Sequence, residues 1–428
     1  MAREQIKGGP TSIKGEITLP GDKSISHRAV IFGSLADGVT NVEGFLKSED
    51  TFSTIKAFEA MGVDISWQGE ILRINGAGLH GLKEPEDMIN AGNSGTTSRL
   101  LIGLLSGQNF SSSITGDKYL KKRPMGRVIN PLREMGANID ATDDSKLPLT
   151  IHGTNLNGIS YKMPVASAQV KSAILLAGLY AEGQTKVIEL SPTRDHTEKM
   201  MQYLGVDIST DSNSIRISKS CGFKARDITV PSDFSTAAFF IVAALINPGS
   251  EILIKNVGVN PYRIGALEIL LSMGADIELT NERELNGEQV ADIVARSSFL
   301  KGIDIGGDMI PKAIDELPII AVAACFAEGR TTISDAEELR VKETDRITTT
   351  VSELKKLGAK IEETEDGMII EGTDGLVGAN CSSCGDHRIA MSVAIAATRA
   401  KGQTIIEDSG AAAVSFPEFF EILNNIKA

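Results

Sequence analysis

Three short segments concentrate bases and hydroxyls in a chain that is acidic as a whole. Residues 20–28 read PGDKSISHR, residues 92–99 read GNSGTTSR, and residues 340–346 read RVKETDR. The N-terminus of a helix carries about half a positive charge and unpaired N–H groups, so bases beside it favour a bound anion. These segments therefore predict binding of small anions, with Asp315 and Glu343 as the best carboxylates for proton transfer.

The elements that must position these residues follow a sixfold repeat. Nearly all-apolar helices are predicted at 29–35, 99–105, 171–180, 235–246, 316–326 and 388–397. Each precedes a glycine turn and a β-branched strand, the turns being at Gly38, Gly107, Gly183, Gly249, Gly329 and Gly402. An amphipathic helix then ends at a second glycine, at Gly62, Gly136, Gly205, Gly274 and Gly358. Six buried helices exceed one ordinary core, so the repeat predicts a mixed α/β protein with two lobes of three units.

Bases recur near the starts of the predicted buried helices. They are Lys23, Arg28, Arg99, Lys171 and Arg388. A positive charge at a helix N-terminus opposes the helix dipole by about 0.3–1 kcal/mol. The repeated choice of lysine or arginine there therefore predicts an offsetting anion.

Other motifs are weaker. Residues 92–99 lack the Gly-Lys-Ser/Thr ending of a P-loop, and residues 76–81 match the dinucleotide fingerprint, but Pro85 denies them the required helix. Residues 121–127 predict a basic loop, and residues 340–346 predict a helix that places two bases one turn apart. No Ser/His/Asp order or metal-ligand spacing stands out, and the four cysteines are interpreted as plain thiols.

Composition limits the partners. The chain has 428 residues and a net charge of −13, which argues against nucleic acid or an anionic membrane surface as the main partner. No apolar run reaches the ~18 residues of a membrane span, and the first residues do not resemble a secretory signal. We expect a cytoplasmic protein whose clustered bases are the exception and mark its ligand site.

The motifs resemble one family when they are taken in order. They are residues 20–28, 92–95, 123–126, 167–169, 340–346, 386–388 and 415–417. Together they closely resemble the 5-enolpyruvylshikimate-3-phosphate (EPSP) synthase family. The resemblance implies the two-lobed enolpyruvyl transferase fold with six βαβαββ repeats, three in each lobe. It also implies that residues 1–20 and 234–428 form one lobe, that residues 21–233 form the other, and that the active site lies in the cleft between them.

The resemblance implies an activity and its ligands. Family members transfer the enolpyruvyl group of phosphoenolpyruvate to the 5-hydroxyl of shikimate 3-phosphate by addition and elimination, without a metal or cofactor. A monomer that acts on small molecules and is inhibited by glyphosate is expected. The implied shikimate 3-phosphate contacts are Lys23, Ser24, Arg28, Ser167, Ala168, Gln169, Ser191, Arg194, Asp315 and Lys342. The implied phosphoenolpyruvate contacts are Lys23, Gly95, Arg123, Gln169, Arg346 and Arg388.

The same resemblance implies roles in proton transfer. Asp315 would accept the proton of the attacking hydroxyl, and Lys23 and Glu343 would donate to and recover a proton from C3 of phosphoenolpyruvate. One position departs from the family pattern, because many members have a lysine where this chain has Val414. A cation expected near phosphoenolpyruvate is therefore absent, which implies either a looser site on this side or another base that serves it.

Two alternatives stay open at this point. The sister enolpyruvyl transferase that acts on UDP-N-acetylglucosamine shares the six-unit architecture, but it typically has a cysteine in the loop equivalent to residues 121–127, and this chain has none there. A non-catalytic protein that binds phosphorylated metabolites could use the same lobes. Such a protein would need neither Asp315 nor Glu343.

Overall fold

The computed structural model describes residues 2–9 and 11–427, and the outermost residues of the predicted lobe bounds, Met1 and Ala428, lie outside that part with Pro10. The chain divides into two compact units. We call them the terminal unit, which comprises Met1–Pro20, Pro231–Arg283 and Gln289–Ala428, and the inner unit, which comprises Gly21–Val230 and Glu284–Glu288. Each unit is described by itself below.

The strands are short and alternate with helices along the whole chain. They are β1 (Arg3–Gly8), β2 (Lys14–Thr18), β3 (Asp37–Glu43), β4 (Asp64–Gln68), β5 (Ile71–Ala77), β6 (Ile89–Asn90), β7 (Ser112–Thr115), β8 (Asn138–Thr142), β9 (Lys146–His152), β10 (Ser160–Lys162), β11 (Gln184–Ile188), β12 (Ile208–Asp211), β13 (Ser214–Ser218), β14 (Ile228–Thr229), β15 (Glu251–Gly258), β16 (Asp276–Leu285), β17 (Glu288–Arg296), β18 (Asp304–Ile305), β19 (Arg330–Ile333), β20 (Lys360–Glu363), β21 (Met368–Glu371), β22 (Asn380–Ser382) and β23 (Gly402–Glu407).

The helices include every buried helix that the sequence predicts. They are α1 (Lys23–Leu35), α2 (Glu49–Ala60), α3 (Gly95–Ser106), α4 (Gly126–Glu134), α5 (Ala168–Gly178), α6 (His196–Tyr203), α7 (Phe234–Ile246), α8 (Gly265–Ser272), α9 (Met309–Ala313), α10 (Leu317–Cys325), α11 (Arg346–Lys356), α12 (His387–Arg399) and α13 (Phe419–Asn425). Short 3-10 turns occur at Leu120–Lys122, Glu337–Val341 and Ser409–Val414.

The strands form small sheets of one repeated design. In the inner unit the strand orders are β14-β3-β5-β4, β6-β7-β9-β8 and β10-β11-β13-β12. The terminal unit contains β16-β17-β15-β2, β18-β19-β21-β20 and the shorter β1-β23-β22. In the last of these, the sixth repeat is completed from the other end of the chain, because β1 pairs antiparallel with β23. The sixfold α/β repeat predicted from the glycine pattern is confirmed.

The recurrence of glycine after each amphipathic helix has a conformational cause. The glycines that follow the amphipathic helices have φ between 84° and 97° at Gly62, Gly136, Gly274 and Gly358, and 81° at Gly205. An L side chain rarely adopts this left-handed conformation, so glycine ends each helix and turns the chain into the next strand. The repeat is therefore visible in the sequence because the same turn is built five times.

Each unit has its own hydrophobic core. In the inner unit, α1, α3 and α5 contribute residues that are buried on nearly every side. In the terminal unit, α7, α10 and α12 do the same. Helices that are apolar all round cannot face water, so they stand inside their unit.

Two local expectations have different outcomes. The dinucleotide fingerprint at residues 76–81 falls at the end of β5, and no helix follows it before residue 95, as predicted. The helix predicted across residues 340–346 is wrong. Residues 342–345 are irregular, and α11 begins only at Arg346, because Asp345 accepts a hydrogen bond from the Thr348 N–H group and caps the helix there.

Within residues 2–9 and 11–427, no helix is both long enough and apolar enough to cross a lipid bilayer.

Candidate active site

The first anion-site candidate lies at the start of α1 in the inner unit. Asp22 caps this helix, since its Oδ1 accepts a hydrogen bond of 2.8 Å from the Ile25 N–H group. Lys23 is the first helical residue, and its Nζ pairs with Asp50 Oδ2 at 3.1 Å. Asp50 belongs to the first turn of α2. The lysine is thus held in place by a carboxylate and remains partly exposed.

Arg28 lies on the same helix, and three hydrogen bonds fix its guanidinium group. Its Nε donates to Thr197 Oγ1 at 2.7 Å, Nη2 donates to Ser172 Oγ at 2.8 Å, and Nη1 donates to the Ser24 carbonyl at 3.0 Å. Burial lowers the pKa of Arg28, and the carboxylate of Glu198 opposes this effect most strongly among the neighbouring charges. A buried guanidinium in a fixed position is suited to a phosphate or carboxylate.

A second group of predicted residues meets at the starts of α3 and α5. Gly95 is the first residue of α3, and a Cβ atom placed on it would lie 2.9 Å from Arg99 Nη1 and 3.1 Å from Arg123 Nη1. Gln169 joins the two helices, because it accepts from Arg99 Nη1 at 2.6 Å and donates to Thr96 Oγ1 at 3.0 Å. The structure therefore brings together three predicted phosphoenolpyruvate contacts, Gly95, Arg123 and Gln169.

The other predicted residues of the inner unit lie at the same helix start or in one loop. Ser167 caps α5, since its Oγ accepts from the Val170 N–H group at 3.4 Å, and Ala168 is the first residue of that helix. Ser191 and Arg194 lie in the irregular segment between β11 and α6. Arg194 is close enough to Arg28 for its charge to lower the pKa of Arg28.

The terminal unit gathers the predicted carboxylates around one arginine. Arg346 donates from Nε to Asp386 Oδ2 at 2.8 Å, from Nη2 to Glu343 Oε2 at 2.5 Å and from Nη1 to Asp315 Oδ1 at 3.5 Å. We call these four residues the carboxylate cage. Burial lowers the pKa of Arg346, but the three carboxylates outweigh burial and raise it above its ordinary value.

The cage leaves two of its carboxylates within reach of a ligand. The side chain of Arg346 is 1% exposed and that of Asp386 is 0% exposed, whereas Asp315 is 19% and Glu343 is 26% exposed. Lys342 is half-buried beside them, and burial lowers its pKa while Asp315 opposes this effect. Two reachable carboxylates beside a lysine suit proton transfer, and both were predicted for that chemistry.

Arg388 lies on the other side of Asp315. Its Nη1 donates to the Asp315 carbonyl at 2.8 Å and to Glu316 Oε1 at 3.4 Å, and its Nη2 donates to Ser235 Oγ at 3.3 Å. Its buried Nε has no hydrogen-bond partner in the part of the chain that is described. The structure therefore brings Asp315, Glu343, Arg346 and Arg388 together, with Lys342 beside Glu343.

The sequence analysis did not identify the buried ion pair behind Arg388. Arg263 Nη1 donates to Glu316 Oε1 at 3.0 Å and to Oε2 at 3.2 Å, and Glu316 is fully buried. Ser235 contacts both of these side chains. Glu316 follows the predicted base Asp315 directly, yet its side chain is turned into the unit. No local sequence signal could have paired residues that are 53 positions apart.

Three of the five bases near the starts of the buried helices pair with carboxylates of the chain itself. Lys171 is paired with Glu189 and Glu198, Lys23 with Asp50, and Arg388 with Glu316. These three bases are therefore offset by a carboxylate of their own unit, whereas Arg28 and Arg99 donate to hydroxyl, carbonyl and amide oxygens. An anion bound by these bases stays a prediction.

A buried hydrogen-bond network connects α1 and α2 to the start of α3. His27 Nδ1 lies 2.7 Å from Thr54 Oγ1, Thr54 Oγ1 lies 2.7 Å from Thr97 Oγ1, and Thr97 donates to Ser94 Oγ at 2.8 Å. Because Thr97 donates its one hydroxyl hydrogen to Ser94, the hydroxyl of Thr54 donates to Thr97. The remaining contact is therefore donated by the Nδ1–H group of His27 to Thr54. Burial lowers the pKa of His27 from 6.5 to about 3, so the imidazole in this network is neutral.

This network predicts a pH dependence of stability. Below pH 6.5 the unfolded chain binds a proton at His27 and the folded protein does not, so stability falls as the pH falls toward 3. The slope that His27 contributes is about 1.4 kcal/mol per pH unit. We expect His27→Asn to reduce the decrease in unfolding free energy between pH 7 and pH 5, measured by urea denaturation. His80→Gln, at an exposed histidine, is the control; an unchanged slope in His27→Asn would contradict the assignment.

No three His, Cys, Asp or Glu side chains of the described chain are grouped as a metal site. Val414, the departure from the family pattern, ends the 3-10 turn Ser409–Val414.

Comparison with known proteins gives one consistent result. The family model described as EPSP synthase (3-phosphoshikimate 1-carboxyvinyltransferase) matches residues 7–423. A protein of Geotalea uraniireducens named 3-phosphoshikimate 1-carboxyvinyltransferase is 55% identical over 416 residues, which are 97% of each chain. The solved EPSP synthase of Acinetobacter baumannii superposes with a TM-score of 0.90 at 47% identity and covers 99% of this chain and 98% of its own.

A more distant structure shares the fold. The enolpyruvyl transferase NikO from Streptomyces tendae superposes with a TM-score of 0.80 at 17% identity, over 99% of this chain and 96% of that one. The two-lobed enolpyruvyl transferase fold expected from the sequence is confirmed by these structural matches.

Proposed function

Because the chain belongs to the EPSP synthase family, we propose that it transfers the enolpyruvyl group of phosphoenolpyruvate to the 5-hydroxyl of shikimate 3-phosphate and releases phosphate. The observation that carries this proposal is the carboxylate cage. It places Asp315 and Glu343, the two residues that the family motifs assign to proton transfer, on one buried arginine. A protein that only binds phosphorylated metabolites would not need two partly exposed carboxylates in that position.

The addition step forms one carbon–oxygen bond and one carbon–hydrogen bond. The substrate hydroxyl attacks C2 of phosphoenolpyruvate, Asp315 accepts its proton, and C3 receives a proton from Lys23 or Glu343. The role of Asp315 as the base is supported by its contacts, because Arg388 Nη1 donates to its carbonyl at 2.8 Å while its carboxylate remains partly exposed. The elimination step then removes a proton from C3 and breaks the bond from C2 to the phosphate oxygen.

The bound anions are divided between two sets of bases. We assign shikimate 3-phosphate to Arg28 together with Ser24, Ser167, Ala168, Gln169, Ser191, Arg194 and Lys342. We assign phosphoenolpyruvate to Lys23, Gly95, Arg123, Gln169, Arg346 and Arg388. Fixed guanidinium groups stabilise both the substrate charges and the negative charge that develops during addition.

Phosphate release is the direct test. The protein is expected to release phosphate from phosphoenolpyruvate when shikimate 3-phosphate is present and not when UDP-N-acetylglucosamine replaces it. Release with the nucleotide sugar alone would favour the sister transferase. Binding of shikimate 3-phosphate without phosphate release under any condition would favour the non-catalytic alternative.

Gly95 offers a prediction about glyphosate, which we propose competes with phosphoenolpyruvate. A Cβ atom at this position would meet the ends of Arg99 and Arg123 at 2.9 and 3.1 Å, so Gly95→Ala must displace both guanidinium groups. We expect the KM for phosphoenolpyruvate to rise several-fold and glyphosate inhibition to weaken more, while the KM for shikimate 3-phosphate changes less than about twofold. Steady-state kinetics at several glyphosate concentrations measure all three.

Gly126→Ala is the matched control, because a Cβ atom there meets only Ser145 Cβ, at 3.3 Å. If added phosphoenolpyruvate fails to relieve inhibition of the unaltered protein, the shared site is refuted.

We also propose that the protein acts as a monomer in the cytoplasm. The reaction needs two small molecules and no second chain, and all assigned contacts come from one chain. Light scattering of the purified protein at assay concentration tests the monomer directly, since a dimer would double the 45.5 kDa mass.

A further inference from the structure

A buried ion cluster in the inner unit lies behind the residues assigned to shikimate 3-phosphate. Lys171 on α5 is 0% exposed, and its Nζ pairs with Glu198 Oε1 at 2.6 Å and with Glu189 Oε1 at 3.1 Å. Glu189 follows β11 and Glu198 belongs to α6. Removing three charges from water is costly, and the mutual attraction of one cation and two anions only partly offsets that cost. An arrangement of this kind therefore calls for a reason other than stability.

The cluster forms hydrogen bonds with every polar group of Thr193, a residue of the neighbouring loop. The Thr193 N–H group donates to Glu189 Oε1 at 3.0 Å and the Thr193 hydroxyl donates to the same oxygen at 2.5 Å. The Thr193 carbonyl accepts from Lys171 Nζ at 3.2 Å. Thr193 lies between Ser191 and Arg194 in an irregular segment without ladder hydrogen bonds of its own. The loop's conformation at this point is therefore set by the ion cluster.

The same two helices also brace Arg28. Lys171 is followed on α5 by Ser172, and Glu198 is preceded on α6 by Thr197. The two hydroxyls lie 2.7 Å apart and both accept hydrogen bonds from the Arg28 guanidinium. The Lys171–Glu198 pair thus ties the helices together one residue away from the acceptors of Arg28.

The electrostatic interactions within the cluster also support Arg28. Burial raises the pKa of Glu198, and Lys171 opposes that effect most strongly. Glu198 in turn is the strongest neighbouring charge that keeps Arg28 protonated. Loss of the lysine would favour a neutral Glu198 and remove support from the arginine.

We propose that Lys171, Glu189 and Glu198 are positioning residues for shikimate 3-phosphate, because they fix the loop that carries Ser191 and Arg194 and the acceptors that orient Arg28. This inference rests on the proposed function and deepens it. The three residues need not touch the substrate. They act through Thr193, Thr197 and Ser172.

The test compares Lys171→Met and Glu189→Gln with Lys56→Met. Lys56 is an exposed lysine of α2 in the same unit, so its variant controls for loss of a lysine charge. We expect both cluster variants to raise the KM for shikimate 3-phosphate at least about tenfold, the size of effect that misplaced binding groups produce. The KM for phosphoenolpyruvate is expected to change less than about twofold.

Hydrogen exchange provides a measurement that does not depend on turnover. The amide of Thr193 is expected to exchange faster in both cluster variants than in Lys56→Met, because its acceptor is lost or weakened. Glu189→Gln keeps the size of the side chain and leaves the Lys171–Glu198 pair intact, so it carries the test if Lys171→Met does not fold.

The outcomes separate the inference from the proposed function. If the unaltered protein releases phosphate but the variants change both KM values equally, or change neither, the positioning role is refuted and the function stands. Unchanged exchange at Thr193 in a variant with a raised KM would also refute the mechanism given for it. If the unaltered protein releases no phosphate, the proposed function fails, and the inference that rests on it fails with it.

Discussion

Replacing Asp315 by alanine is expected to abolish most turnover while the protein still binds shikimate 3-phosphate. The variant removes the group assigned to accept the hydroxyl proton, and general base catalysis typically contributes about 10²–10⁴-fold to a rate. The fold should tolerate the change, because Arg346 keeps Glu343 and Asp386 as partners at 2.5 and 2.8 Å. Phosphate release gives kcat, and calorimetric titration with shikimate 3-phosphate gives the affinity.

Asp374→Ala, at an exposed aspartate of the terminal unit, is the matched control for this experiment. Near-normal kcat in Asp315→Ala would remove the residue from the proton-transfer role. Loss of shikimate 3-phosphate binding without a separate effect on kcat would instead make Asp315 a ligand contact only.

Glu316, the residue after Asp315, is expected to be important for stability. Glu316→Ala removes the buried partner of Arg263 and Arg388, which lie 3.0 and 3.4 Å from Glu316 Oε1. Leaving one member of a buried ion pair without its partner typically costs about 3–5 kcal/mol. We therefore expect a large loss of stability, measured as a lower denaturant midpoint with an unchanged slope.

A double variant tests whether charge is the cause. Arg263→Met combined with Glu316→Leu removes both charges of the shorter pair and fills much of the same space, but it still leaves Arg388 without Glu316. It should therefore recover part of the stability lost in Glu316→Ala. If the double variant is as unstable as Glu316→Ala, the charge of Arg263 is not the cause of the loss. If Glu316→Ala is within about 1 kcal/mol of the unaltered protein, the pair has no structural importance.

The six repeats and their buried helices could be predicted from the sequence, because both depend on local features of the chain. Gly62 and its four counterparts need a left-handed conformation that other residues rarely adopt, and this requirement leaves a regular mark in the chain. The buried helices are visible for a similar reason, since a helix such as Phe234–Ile246 has no polar face. Neither signal depends on which residues meet in space.

The site could be read only in part. The motif residues come together within each unit, as Gly95, Arg123 and Gln169 do. Their partners could not be foreseen, because Arg28 and Thr197 are 169 residues apart. The pairing of Lys23, Lys171 and Arg388 with carboxylates of the chain itself has no local sequence signal either.

The helix boundary before Arg346 shows a second limit. A periodic pattern of bases across residues 340–346 is compatible with a helix, but a single cap at Asp345 sets where the helix begins. The functional consequence is considerable. Because α11 starts at Arg346, this arginine is buried at a helix N-terminus instead of standing on a solvated face.

The carboxylate cage has a consequence for ionic strength. The charge of Arg346 is already balanced by the protein, so a substrate carboxylate that binds there must replace Glu343 and forms no additional ion pair. Dissolved salt screens separated, exposed charges and has little effect on such an exchange at a buried guanidinium. Binding through the half-exposed Arg123 should therefore weaken as salt is added, whereas binding through Arg346 should hardly change.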